Sequence, residues 1–382
     1  MINKAARLEN VKEYYFSKKL REVGELVAEG KPIINMAIGS PDLDPDPTVI
    51  KAMEHAMLLP KAHSYRSYQG ILELRDAISE FYERNYKVSL NPGDEVLPLM
   101  GSKEGVMHIS MAFLNPGDEV LIPNPGYPTY ASVTNLLQAV PRWYDLHAEG
   151  NWLPNIAALE AQDLSKVKIM WLNYPHMPTG AKASKSDFEA LVAFAKRNDI
   201  LLVNDNPYSF ILNEEPLSLL QIKGAKDVAL ELNSLSKTFN MAGWRVGMVL
   251  GNSELIKTIL KVKSNMDSGM FFGIQQGAIA ALNLADTWFS DLNAIYAKRR
   301  TLVWKIFEQL NCEFDQNAGG MFVWAKLPKG KTAEEVSDCL LYEKDVFIAP
   351  GSVFGSNGNG YLRASLCISE GELEKVLKRL ND

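Results

Sequence analysis

Between about residues 72 and 251 the chain alternates short, nearly unbroken apolar runs with longer stretches of helical periodicity. The runs are Glu95–Met100, Glu119–Pro123, Lys168–Asn173, Ile200–Asp205, Val228–Leu232 and Val246–Leu250. Runs that are apolar at consecutive positions predict strands buried on both faces, and helices between them predict a mostly parallel sheet. Beyond roughly Ile274 the rhythm changes. A long helical stretch carries Trp288 through Phe307, and shorter alternating segments follow at Gly320–Ala325 and Tyr361–Leu366. Such a mixture predicts a smaller α+β unit. Near the start, a helix over Val11 to Ala28 and an extended piece over Ile33–Ile38 are expected to join that unit. The predicted class is α/β, with a large domain over 46–285 and a small domain assembled from 1–45 and 286–382.

Several polar residues sit where these runs end. Lys237 follows the run Val228–Leu232, is flanked by Ser234 and Ser236, and has Arg245 eight residues on. Strand ends are where α/β enzymes place their chemistry. An amine kept partly neutral there can form a Schiff base, and hydroxyls beside a guanidinium suit a phosphate. These parts together suit pyridoxal 5′-phosphate (PLP), although a surface lysine in a strand-to-helix loop gives the same local pattern. Met100-Gly-Ser-Lys-Glu-Gly105 opens a helical stretch, and free N–H groups at such a start can cradle a phosphate. A plain N-capped helix reads the same. Asp205 ends the most apolar run, where a carboxylate is costly unless it meets a cation such as a protonated pyridine nitrogen. A structural salt bridge is the competing reading. Tyr208, three positions later, can hydrogen-bond a phenolic oxygen, and Tyr127 in a proline-rich turn can stack on a flat ring. Arg363 lies within an alternating apolar segment, so it either clamps a carboxylate in two-bond geometry or faces solvent.

Composition narrows the classes. A chain of 382 residues with 47% apolar and 23% charged residues has room for more than one core. A net charge of −6 gives no reason to expect nucleic acid or an anionic membrane as partner. No apolar run reaches the roughly 18 residues needed to span a bilayer, and the first seven residues lack a signal-peptide pattern. Three widely spaced cysteines (Cys312, Cys339, Cys367) fit neither a disulfide framework nor zinc, and suit a reducing cytoplasm. The five histidines have no metal-ligand spacing, so no metal is expected.

Taken in order, Gly39-Ser-Pro-Asp42, Tyr65 to Gly70, Gly101–Glu104, Pro125–Pro128, Pro178–Gly180, Asp205–Tyr208, Ser234–Lys237 with Arg245, and Tyr361–Arg363 resemble the class I/II aminotransferases. These are PLP enzymes of the aspartate aminotransferase fold, fold type I. The runs Gly101–Gly105, Met241–Gly247 and Asp267–Gly269 resemble most the branch with LL-diaminopimelate and some alanine aminotransferases. The resemblance implies that an amino group moves from an L-amino acid to a 2-oxo acid by a ping-pong route, with Lys237 as the Schiff-base lysine. It implies that Asp205 pairs with the pyridine nitrogen, Tyr208 bonds the phenolic oxygen and Tyr127 stacks on the ring. Ser102, Lys103, Ser234 and Arg245 then surround the phosphate, with Tyr65 arriving from the other subunit of a homodimer. Gly39 and Arg363 hold the substrate α-carboxylate. One position departs: where the family usually has asparagine before Pro178, this chain has Met177, and a thioether cannot donate the hydrogen bond. Asn173 is the candidate substitute. The alternatives are a PLP-dependent carbon–sulfur lyase and a non-catalytic PLP-binding regulator. A regulator is expected to carry an added DNA-binding segment, and none is evident.

Overall fold

A computed structural model describes residues 2–8 and 15–381. Its centre is a seven-stranded sheet, from edge to edge Val96–Leu99, Gly247–Gly251, Ala229–Ser234, Leu201–Asp205, Val167–Leu172, Glu119–Asn124 and Val140–Asp145. The last five of these run parallel to one another. Gly247–Gly251 is antiparallel to both of its neighbours, so the sheet is mostly rather than wholly parallel. Side chains alternate across the pleat, as a strand requires. Val120 and Ile122 join one core cluster, while Leu121 joins another with Met170 and Leu202. The edge strand Val140–Asp145 was not among the expected runs. Its Val140 and Trp143 are half exposed, and Pro141 and Arg142 break the apolar signal, as edge strands tolerate.

Helices cover both faces, and their ends are written locally. Lys185–Asn198 begins with a capping box in which Ser184 and Asp187 satisfy each other's backbone N–H, and Asn252 caps Ser253–Lys263. Such caps are worth about 1 kcal/mol each. The helix Ser102–Phe113 differs: Gly101 precedes it at φ 95° with no side-chain cap, leaving its first N–H groups free for another acceptor.

A second core surrounds a four-stranded antiparallel sheet containing Phe322–Lys326 and Tyr361–Ser365. The extended piece near the start contributes Ile34–Asn35, which pairs in parallel with Val346–Phe347. Val23, Ile34 and Met36 are buried in this same cluster. The first helix is described from Tyr15 to Ala28, and residues 11–14 of the expected helix lie outside the described residues. The long helix Thr287–Gln309 is pinned by buried Arg299, whose guanidinium makes paired contacts of 2.7 and 2.9 Å with Asp42. No described helix is long and apolar enough to cross a membrane.

Candidate active site

The parallel strands point their C-terminal ends at one pocket of about 450 Å³. Asp205 is the last residue of one strand and Ser234 the last of the next, so adjacent strands deliver them side by side. The pocket gathers ten of the residues expected from sequence: Gly39, Ser102, Lys103, Tyr127, Asp205, Tyr208, Ser234, Lys237, Arg245 and Arg363. Tyr65 is not among them. It stands 89% exposed on a loop that does not line this chain's pocket.

One corner of the pocket is polar and cationic. Arg245 has left-handed backbone (φ 55°), a conformation costing about 1 kcal/mol or more in a non-glycine residue. Its guanidinium lies directly on Gly101, where a Cβ would clash with Nη2. Only glycine admits this approach, which brings the cation against the uncapped start of Ser102–Phe113. Ser102, Lys103, Ser234 and Ser236 complete the corner. Free N–H groups, hydroxyls and two cations together form a site for a phosphate dianion.

At the centre, Lys237 donates from Nζ to the Gly39 carbonyl at 2.5 Å. Burial lowers its pKa, and the cations Arg363 and Arg245 lower it further against the opposing pull of Cys367 and Asp205. A lowered pKa keeps more of the amine neutral and nucleophilic. Asp205 is wholly enclosed, and burial raises its carboxyl to about 7 even though the Tyr130 hydroxyl and Lys237 favour the charged form. The Tyr130 hydroxyl donates to Oδ2 at 2.9 Å, while the buried Oδ1 has no hydrogen-bond partner among the described residues. Tyr130 thus serves one carboxylate oxygen of Asp205, and the other acceptor is left over.

Arg363 occupies the opposite end. Its guanidinium is sandwiched between the rings of Phe322 and Phe354, at 4.0 and 4.4 Å from their centroids. Nη2 donates to the Ala37 carbonyl at 2.6 Å, and Nη1 faces the Met177 sulfur at 3.4 Å. Burial lowers its pKa to about 10, and buried Nε has no hydrogen-bond partner among the described residues. The arginine is therefore inward, not on a solvated strand face. Met177 lines the pocket with Asn173. The Asn173 amide is held at both atoms: Oδ1 accepts from Met177 N–H at 2.7 Å, and Nδ2 donates to the Asp205 carbonyl.

Several contributors were not foreseen. Tyr130 stacks on Trp171 (4.8 Å, 5°) and so fixes its hydroxyl under Asp205. Its spacing of three from Tyr127, across the start of the helix Thr129–Leu136, is the only sequence signal for it. Phe16 and Ser17 reach the pocket from the first described helix, and Phe322 and Phe354 come from the small core. Nothing local marks them.

The fit to PLP rests on this geometry: an anion corner, an acceptor left over at Asp205, and a buried amine between them. Fold and pocket together define an α/β enzyme of PLP chemistry. The comparisons then name the family. The model for aminotransferase class I and II matches residues 31–380, and the chain belongs to that family. The LL-diaminopimelate aminotransferase of Dehalococcoides mccartyi is 39% identical over 376 residues, 98% of this chain and 97% of its own. That of Aquifex aeolicus is 37% identical over 98% of both chains. Among solved structures, substrate-bound BacF from Bacillus subtilis superposes with a TM-score of 0.94 at 34% identity, covering 100% of this chain and 97% of its own. A single mutant of Thermus thermophilus aspartate aminotransferase gives 0.92 at 26%, over 99% of both. This chain is a PLP-dependent aminotransferase, moving an amino group from an L-amino acid to a 2-oxo acid.

Proposed function

We propose that Lys237 is the amine to which PLP attaches and the base that takes the proton from the substrate Cα. The observation that carries this is its position: a buried amine of lowered pKa, shared between Gly39 and a pocket with an anion corner on one side and Arg363 on the other. When bound, PLP supplies an electron sink for charge developing at Cα. Asp205 holds the ring nitrogen through its spare oxygen, and Tyr130 positions Asp205. Tyr127 covers the ring face, and Tyr208 reaches the phenolic oxygen. Ser102, Lys103, Ser234 and Arg245 bind the phosphate. Arg363, with Gly39 beside it, orients the α-carboxylate so that the Cα–H bond faces Lys237. The two half-reactions share this one site in turn, which is a ping-pong cycle. Borohydride reduction of the loaded enzyme followed by peptide mapping tests the assignment. The pyridoxyl group is expected on Lys237, and its appearance on another lysine sinks the reading.

We also propose the division into a large domain over 46–285 and a small domain of 1–45 with 286–382, supported by one core cluster drawn mainly from 1–45 and 286–382, with Met177 and Ile211 joining it, and by three clusters whose buried members all lie within 46–285. Limited proteolysis that cuts preferentially within either unit rather than between them counts against it. A homodimer is the third part of the reading. The loop with Tyr65 is pinned rigidly: Lys263 donates to the Tyr68 carbonyl at 2.8 Å, and Arg66 packs on Phe272 at 4.2 Å. Yet Leu58, Tyr65, Leu72 and Met266, on this loop, its flanks and the turn that holds it, stay exposed. Exposed apolar side chains on a fixed surface suit a second copy of the chain, which lets Tyr65 reach the neighbour's phosphate. A monomer by light scattering that retains full PLP affinity refutes it. The three free cysteines suit a cytoplasmic location, which cell fractionation checks.

A further inference from the structure

We propose that Lys263 and Asp267 are positioning residues for the cofactor phosphate. Their buried ion pair holds the loop of Tyr65 in the shape that delivers the Tyr65 hydroxyl to a second copy of the chain. The inference rests on the homodimer reading above and names what makes that reach possible.

Tyr65 is exposed, so its placement depends on the backbone that carries it. Two buried polar side chains grip that backbone. Lys263 ends the helix Ser253–Lys263, and its side chain is only 3% exposed. Its Nζ donates to the Tyr68 carbonyl at 2.8 Å and to Asp267 Oδ1 at 2.9 Å. The same Oδ1 accepts from the Gly269 N–H at 2.8 Å, which closes the turn 267–269. Gly269 has left-handed backbone (φ 86°) and lies against the loop: a Cβ on it would come 2.8 Å from both the Arg66 and Ser67 carbonyl oxygens. The turn therefore presses on the two residues that follow Tyr65. Fully buried Gln275 fixes the far end of the loop, accepting from the Ile71 N–H at 2.8 Å and donating to the Met270 carbonyl at 2.7 Å.

Desolvating both members of such a pair costs about as much as their attraction returns, so its gift is geometry rather than net stability. An ammonium that must reach the Tyr68 carbonyl and Asp267 together admits one arrangement of the loop. The pair also lies close enough to the start of the helix Ser102–Phe113 for both charges to bear on Glu104. A direct field on the phosphate is therefore the rival account, and the two differ in sign. Through the field, Lys263→Met weakens phosphate binding and Asp267→Ala strengthens it. Through the loop, both weaken it.

The test titrates the cofactor-free full-length enzyme with PLP and with pyridoxal, which lacks the phosphate. It compares wild type, Tyr65→Phe, Lys263→Met, Asp267→Ala, and the latter two each combined with Tyr65→Phe. Tyr65→Phe is expected to weaken PLP relative to pyridoxal by about tenfold or more, the worth of one hydrogen bond to a charged group. Lys263→Met and Asp267→Ala are each expected to weaken it by at least about threefold, and to add little on the Tyr65→Phe background. Asp267→Ala carries the test where Lys263→Met fails to fold. An unchanged or stronger preference for PLP in Asp267→Ala overturns the proposal, as does a loss that persists undiminished on the Tyr65→Phe background. A loss that merely tracks dissociation to monomers in light scattering overturns it too. Tyr65→Phe without effect defeats the reading of Tyr65 as the neighbour's phosphate ligand, and this inference with it.

Discussion

At the Ser102–Arg245 end of the pocket, cations lie against free backbone N–H groups and hydroxyls; at the other end, the Arg363 guanidinium is pressed between two phenyl rings beside a thioether. The first corner binds by charge and hydrogen bonds whose partners come from backbone geometry, so it suits a ligand that does not vary. The second offers one cation, Arg363, pressed among apolar side chains. On the proposed reading the first corner holds the phosphate, and the Arg363 end holds the α-carboxylate that amino acid and oxo acid share. Lys237 stands between them: burial lowers its pKa most, and Arg363 and Arg245 each disfavour its protonated form further.

The largest expected effect comes from breaking the apolar end. Arg363→Lys keeps a cation but loses the planar fork, and a desolvated two-bond pairing is worth on the order of 2–4 kcal/mol. Catalytic efficiency should fall by roughly thirty-fold to a thousand-fold in both half-reactions, with PLP content unchanged. Unchanged steady-state kinetics for amino acid and oxo acid alike refute the role given to Arg363. A loss of PLP as well would mean that the two ends are not independent.

Next in size is Asp205, which links the centre to stability. Burial raises its folded pKa from 3.8 to about 7, so between those values the folded chain holds a proton that the unfolded chain has released. Its contribution is fully present at low pH and is lost as pH rises through about 7. Between pH 5 and pH 8 the loss is on the order of 3 kcal/mol. In cofactor-free protein, thermal scans should show wild type losing about 4 °C relative to Asp205→Asn over that range. Parallel melting curves for the two proteins would show that the carboxyl is already ionised at pH 5.

Met177→Asn has the smallest effect and sharpens the boundary between the two ends. Asn173 spends its oxygen on Met177 N–H and one of its two amide hydrogens on the Asp205 carbonyl, so Tyr208 and the remaining Asn173 N–H are the candidate donors to the phenolic oxygen. A new amide at 177 should stabilise the unprotonated form of the bound chromophore. It should lower the midpoint of the visible-absorbance pH titration by about one unit. An upward shift would mean that position 177 serves the Arg363 end alone.

By itself the sequence determined the class of fold and pointed to ten residues that line one pocket. Buried strands need continuous apolar runs, and a polar residue at the end of such a run, as with Asp205 and Lys237, is conspicuous because burying it is costly. Helix caps are local as well, so boundaries such as Ser184 before Lys185–Asn198 are readable in a few residues. Strand direction is not written in an apolar run, and the antiparallel placing of Gly247–Gly251 emerged only with its neighbours. The edge strand Val140–Asp145 was hidden for the opposite reason, since one exposed side needs no apolar pattern. Tertiary structure alone decided that Tyr130 lies under Asp205, that Tyr65 stays outside this chain's pocket, and that Phe16, Phe322 and Val353 share a wall. Those residues look like ordinary core or surface positions along the chain. What makes them a site is proximity created when distant segments close on one another, and no local pattern records that closure.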